Sequence, residues 1–233
     1  MKKLVTAFAA CALAGLVNAQ VESVNIVGYQ TIDIPTGYKG YTSTFIPVGG
    51  DGDVIRLGDI TPVNFDGNNA DNIQFFNLNG SGSVSTTVTY YDGYGWCDAY
   101  TFAVLDDMTI PIGTGMFVYS SQPNVSFIVA GEVKLDSFQL NVAAGYTFVG
   151  NSSPVAITLG DIVPVNFDGN NADNAQIFSP GGSVSTTVTY YDGYGWCDAY
   201  TFQVLDSMVL NPGDAFFVYC SQSNVSFTFP DVL

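Results

Sequence analysis

From Gln20 onward, short runs of Val, Ile, Thr, Tyr and Phe alternate with polar residues and stop at Gly, Asp, Asn or Pro about every 8–12 residues. No stretch sustains the 3.6-residue apolar period of an amphipathic helix. The pattern predicts short strands and tight turns throughout. The segment Val24–Ile34 sets the tone: Val24, Ile26, Ile32 and Ile34 share one face, and Pro35 and Gly37 end the run. Later runs follow the same rule, from Ile73–Phe76 to the closing strands Asn124–Val129 and Asn224–Phe229.

The runs also come twice. Gly82–Phe102 recurs residue for residue as Gly182–Phe202, a 21-residue identity, and Pro62–Asn72 recurs as Pro164–Asn174. The offset between copies changes from 102 to 100 between these blocks, so the intervening Asn77–Gly82 and Ser179–Gly182 segments belong in a surface turn. The expected fold is all-β, with two tandem homologous modules, each a sandwich or small barrel of roughly seven to nine strands. Module 1 spans residues 20–132 and module 2 residues 133–233, with the boundary at Ala130–Lys134.

Asp92-Gly93 between two tyrosines is a strong two-residue hairpin signal. A turn there pairs Tyr91 with Tyr94, Thr89 with Trp96 and Val88 with Cys97. One face then carries Val84, Val88, Tyr90, Cys97 and Ala99. The other carries Tyr91, Tyr94, Trp96, Asp98, Tyr100 and Phe102. If that aromatic face is outward, Tyr91, Tyr94, Trp96, Asp98 and Tyr100, with Tyr191, Tyr194, Trp196, Asp198 and Tyr200, form two candidate platforms. They would stack on sugar rings or anchor a surface protein. The alternatives are the opposite choice, with the aromatics as core and the Val/Cys/Thr side in solvent, and burial of both faces.

The second candidate is Asp66–Asn72 and its copy Asp168–Asn174. Alternating Asp and Asn oxygens around a glycine can wrap a hard cation, and calcium is the candidate ion, on Asp66, Asn68 and Asp71 and on Asp168, Asn170 and Asp173. The same residues cap turns with their own side chains, which gives an equally direct reading.

Composition narrows the classes of function. The chain has no histidine, which removes His-based nucleophilic pairs, His-ligated metal and imidazole bases. No paired carboxylates stand out as a hydrolytic dyad, so the expected protein is not an enzyme. Met1–Ala19 has the basic start, apolar run and small-residue end of a secretory signal peptide, so the expected location is secreted or cell-surface. No later segment is long and apolar enough to be read as a membrane span. Without residues 1–19, Lys39, Arg56 and Lys134 face 21 acidic residues, three against 21, a net charge of −18. Such a surface repels nucleic acid. Cys97, Cys197 and Cys220 remain, an odd number that leaves open a Cys97–Cys197 bridge, a Cys197–Cys220 bridge or none. An unpaired thiol, or exchange of the first strand between neighbours, would allow self-association.

The opening Asn25–Tyr29, the Gly145–Asn151 segment, the Asp71–Phe75 strand and the closing Pro-Gly-x-x-Phe-Phe-Val motif together resemble a family of secreted bacterial β-repeat proteins found in verrucomicrobial-type genomes. The resemblance implies an exported β-repeat protein and carries no assigned activity. The function expected is a structural or adhesive role at the cell surface or in the extracellular matrix. The alternative is a carbohydrate- or calcium-binding module using the hairpins and the Asp/Asn loops.

Overall fold

The computed structural model describes residues 27–46, 54–133, 135–179 and 182–231. The leader read at residues 1–19 and the Gly-Asp loop at 49–53 lie outside them. Among the described residues the regular structure is nearly all strand, with four short 3-10 turns. In order come β1 (Val27–Ile34), β2 (Gly37–Tyr41), β3 (Phe45–Ile46), β4 (Val54–Arg56), β5 (Ile60–Val63), β6 (Asn72–Phe76), β7 (Val84–Tyr91), β8 (Gly95–Asp98), β9 (Thr109–Pro111), β10 (Met116–Ser120) and β11 (Val125–Val133). The second set repeats them without a counterpart of β3: β12 (Phe138–Val142), β13 (Gly145–Gly150), β14 (Ile157–Thr158), β15 (Val163–Val165), β16 (Asn174–Phe178), β17 (Val184–Tyr191), β18 (Gly195–Asp198), β19 (Val209–Leu210), β20 (Ala215–Cys220) and β21 (Val225–Phe229).

Each set builds the same arrangement. A five-stranded antiparallel sheet, β2-β10-β6-β7-β8, faces a smaller sheet in which β11 pairs with β1, β3 and β5, and the β4–β9 ribbon packs beside them. The second set gives β13-β20-β16-β17-β18, β12-β21-β15 and β14–β19. Alternation places Val125, Phe127 and Val129 of β11 inward against Ile73, Phe75, Met116 and Val118 of the larger sheet, with Ile32, Ile34 and Trp96 in the same cluster. An equivalent cluster around Phe227, Phe229, Val218 and Trp196 fills the second set. β11 runs on through Val133, paired with β1 from Val27↔Glu132 to Ile34↔Val125, so Ala130–Val133 of the segment read as the module boundary are strand, and Lys134 lies outside the described residues.

A third apolar cluster joins the two sets. Phe117 alternates with the inward Met116 and Val118, so it points out of the first sandwich, and Phe217 does the same in the second. Phe148 is fully buried between them, with ring centroids 4.6 Å from Phe117 and 4.4 Å from Phe217. Phe76 and Phe178 add edge-on contacts, at 5.3 and 6.0 Å from Phe148. The backbone contacts across this seam are reciprocal. Thr42 N donates to Gly213 O at 2.9 Å, and its counterpart Gly150 N donates to Gly113 O at 3.0 Å. Such reciprocity is the mark of an isologous contact, here made within one chain. The outer face of each five-stranded sheet is therefore covered on its β2/β10 (or β13/β20) half. The rest of the β6-β7-β8 half beyond Phe76, and of its β16-β17-β18 copy beyond Phe178, is left open.

Candidate ligand-binding surface

The hairpin sits on that open half, and its register differs from the two-residue expectation. Tyr91 pairs with Gly95, Tyr90 with Trp96, Thr89 with Cys97 and Val88 with Asp98, identically in the second copy. The loop is Asp92-Gly93-Tyr94, closed by Tyr94 N donating to Tyr91 O at 3.0 Å. The extra loop residue is set by Gly95, whose φ of +87° is left-handed. A Cβ there would also lie 2.6 Å from the Asp106 carboxylate. A one-residue slip turns every later side chain to the opposite face.

Trp96 and Trp196 therefore leave the candidate surface. They are 1% and 2% exposed, lie in the two cores beside Phe65 and Phe167, and donate their indole N–H to Ile60 O at 3.0 Å and Ile162 O at 3.2 Å. Cys97 moves the other way, to the face it shares with Thr89, and not onto the Val88 face. Cys97, Cys197 and Cys220 are all buried free thiols. Burial pushes each thiol up from its ordinary value, Cys220 to about 12, which suits inert packing rather than nucleophilic or crosslinking chemistry.

The remaining aromatic residues do form a platform. Tyr94 is 76% exposed, Tyr100 80% and Phe102 64%, and the second copy has the same values for Tyr194, Tyr200 and Phe202. Tyr91 is half-buried and packs on Phe102 with centroids 5.9 Å apart. With Asp66, Asn68, Asp92 and Cys97, the rings of Tyr91, Tyr94 and Phe102 enclose a hollow of about 440 Å³, and Tyr100 lies outside that lining. Phe102 and Phe202, outside the set read as contact residues, belong to the site.

Asp98 organises the platform without touching its open side. One carboxylate oxygen accepts from Thr101 N at 2.8 Å, Thr101 Oγ1 at 2.9 Å and Tyr100 N at 3.0 Å, while Phe102 N donates to Asp98 O. The Thr101 bonds, then the Tyr100 bond, hold the Asp98 carboxyl below its ordinary range, and Asp198 repeats this. The tight wrap places Phe102 at φ +58° and Phe202 at +60°, a region bulky residues seldom adopt.

The Asp/Asn loops form the wall beside the platform. Asp66 caps the short 3-10 turn Gly67–Asn69, its Oδ1 accepting from Asn68 N at 2.9 Å and Asn68 Nδ2 at 3.0 Å. Asp71 is buried, with Oδ2 accepting from Asp66 N at 3.1 Å and Oδ1 from Ser121 N at 2.8 Å. Asp168, Asn170 and Asp173 repeat these bonds, with Ser221 N 2.6 Å from Asp173. The carboxylates are thus engaged by nearby N–H groups. Among the described residues no three Asp, Glu, Cys or His side chains converge. Thr89 Oγ1 donates to Asp71 O at 2.7 Å and ties the loop to the hairpin. Gly67 lets the two meet, since a Cβ there would lie 2.7 Å from the Tyr91 ring.

No family model, curated protein or solved structure matches this chain. Among the described residues no helix is long and apolar enough to cross a membrane.

Proposed function

We propose that this chain is an exported, non-catalytic adhesive protein that holds its ligand on two identical aromatic platforms. One observation carries the reading. In each copy Tyr94, Tyr100 and Phe102 stand largely in solvent around Tyr91, and Phe102 is kept in a costly backbone conformation that puts it there. Folding alone favours burying such rings, and a soluble surface seldom gathers them without a partner. The absence of histidine and the engagement of Asp66, Asp71 and Asp98 by N–H donors favour binding over turnover. The leader-like Met1–Ala19 and the −18 charge support an extracellular setting.

The test is adhesion of the full chain to the producing cells and their matrix. A variant with Tyr94→Ala, Tyr100→Ala, Tyr194→Ala and Tyr200→Ala should keep its melting temperature within a few degrees, since these side chains are exposed, and lose adhesion. Undiminished adhesion would sink the platform reading.

A further inference from the structure

We infer that each platform is one half of a longer site for a neutral, hydroxyl-rich chain, a polysaccharide strand, and that the other half is a polar groove on the same sheet. This rests on the adhesive reading above and adds the ligand class and the residues that select it. In the second copy a groove of about 300 Å³ runs along the open face of β16 and β17, lined by Asn174, Gln176, Thr187, Thr189, Tyr191 and Tyr200. Asn72, Gln74, Thr87, Thr89, Tyr91 and Tyr100 hold the same positions in the first copy. Tyr91, with its copy Tyr191, belongs to both hollows, so groove and platform meet across a single ring.

The chemistry of this surface fits sugar hydroxyls. Asn, Gln, Thr and Tyr side chains both donate and accept, as a hydroxyl does, while the rings match the apolar C–H faces of a pyranose. Asn72 leaves one acceptor without a partner. Its Nδ2 donates to Ala70 O at 2.9 Å, but its Oδ1 is buried with no hydrogen-bond partner. The one acid in the groove lining, Asp173, is engaged with Ser221 N and Asp168 N. The other charges at the site, Asp66 and Asp92, are negative. No Lys or Arg lines either hollow, so uronic, sulfated or phosphate-bearing chains would meet only repulsion.

The experiment is native electrophoresis of the full chain through gels containing laminarin, hydroxyethylcellulose or galactomannan, or else alginate or polygalacturonate. The expected result is retardation in at least one neutral gel and in neither acidic gel. Gln74→Ala, Gln176→Ala, Thr87→Ala and Thr187→Ala together should weaken that retardation about tenfold, as the loss of one or two neutral hydrogen bonds would. Gln74→Glu with Gln176→Glu, which keeps the side-chain size, should do the same if the alanine variant folds poorly. Retardation equal to wild type in both groove variants, yet lost on Tyr94→Ala with Tyr194→Ala, would remove the groove and leave the platform standing. Retardation only in acidic gels, or none in neutral gels while Tyr94-dependent cell adhesion persists, would overturn the neutral-glycan assignment alone. Loss of both adhesion and retardation from the wild-type chain would overturn the two readings together.

Discussion

Phe102 occupies a backbone region that costs a side chain with a Cβ about 1–2 kcal/mol, and it does so in both copies. The Asp98 clamp enforces the conformation, and its result is an aromatic ring in solvent. Strain kept for a contact can be separated from strain kept for folding by comparing two substitutions. Phe102→Gly with Phe202→Gly and Phe102→Ala with Phe202→Ala both remove the ring, but only glycine relieves the backbone. The glycine chain should therefore be more stable than the alanine chain by about 1 kcal/mol per site in denaturant titration, while both lose adhesion. Adhesion retained by either would mean the ring is not a contact. Acid provides a second test of the clamp. Because folding lowers the Asp98 carboxyl, the ionised clamp contributes stability above the unfolded value of about 3.9, and this is lost as pH falls through the lower folded value. Binding should be flat from about pH 8 to 5 and fall below about pH 4, and in Asp98→Asn with Asp198→Asn it should be weakened throughout. A fall between pH 7 and 5 would point to another group.

At the scale of elements, the strand pattern and the duplication were readable because they are local: alternation, turn residues and self-identity need no tertiary information. The hairpin was half readable. Asp92-Gly93 marked the turn, but Gly95 two residues later gives the loop its third residue, and that glycine decides which face Trp96 takes. The Asp/Asn loop was readable as a loop and ambiguous as a site, because the partner that settles Asp71 is Ser121, distant in sequence. The loop's role yields a prediction. Asp71→Ala leaves the part-buried N–H groups of Asp66 and Ser121 without their acceptor, which should cost about 1–3 kcal/mol. Calcium or a chelator should not move the melting temperature. A calcium-dependent rise abolished by Asp71→Ala would favour the cation reading.

At the scale of the molecule, the phenylalanine seam makes one unit of two sandwiches that each have their own core. Its reciprocal contacts are those a single module would use to pair with a second copy, and duplication has placed both partners on one chain. The consequence for function is spacing. Two open half-sheets flank one rigid seam, so two ligand strands would be held at a fixed separation and the protein would bridge them rather than coat one. Phe148 tests this because it is fully buried and touches Phe117, Phe178 and Phe217 without entering either core. Phe148→Ala should cost about 3–5 kcal/mol of stability, as removal of a buried aromatic ring does. In calorimetry the wild-type chain should melt in a single transition, and that of the variant should split or broaden as the modules uncouple. Each platform should still bind, so retardation in a neutral-polysaccharide gel should persist at a temperature where the variant is folded. Turbidity of the same polysaccharide, which requires bridging, should fall. A variant that melts in one sharp transition with bridging intact would show that the seam is not what holds the two sites in register.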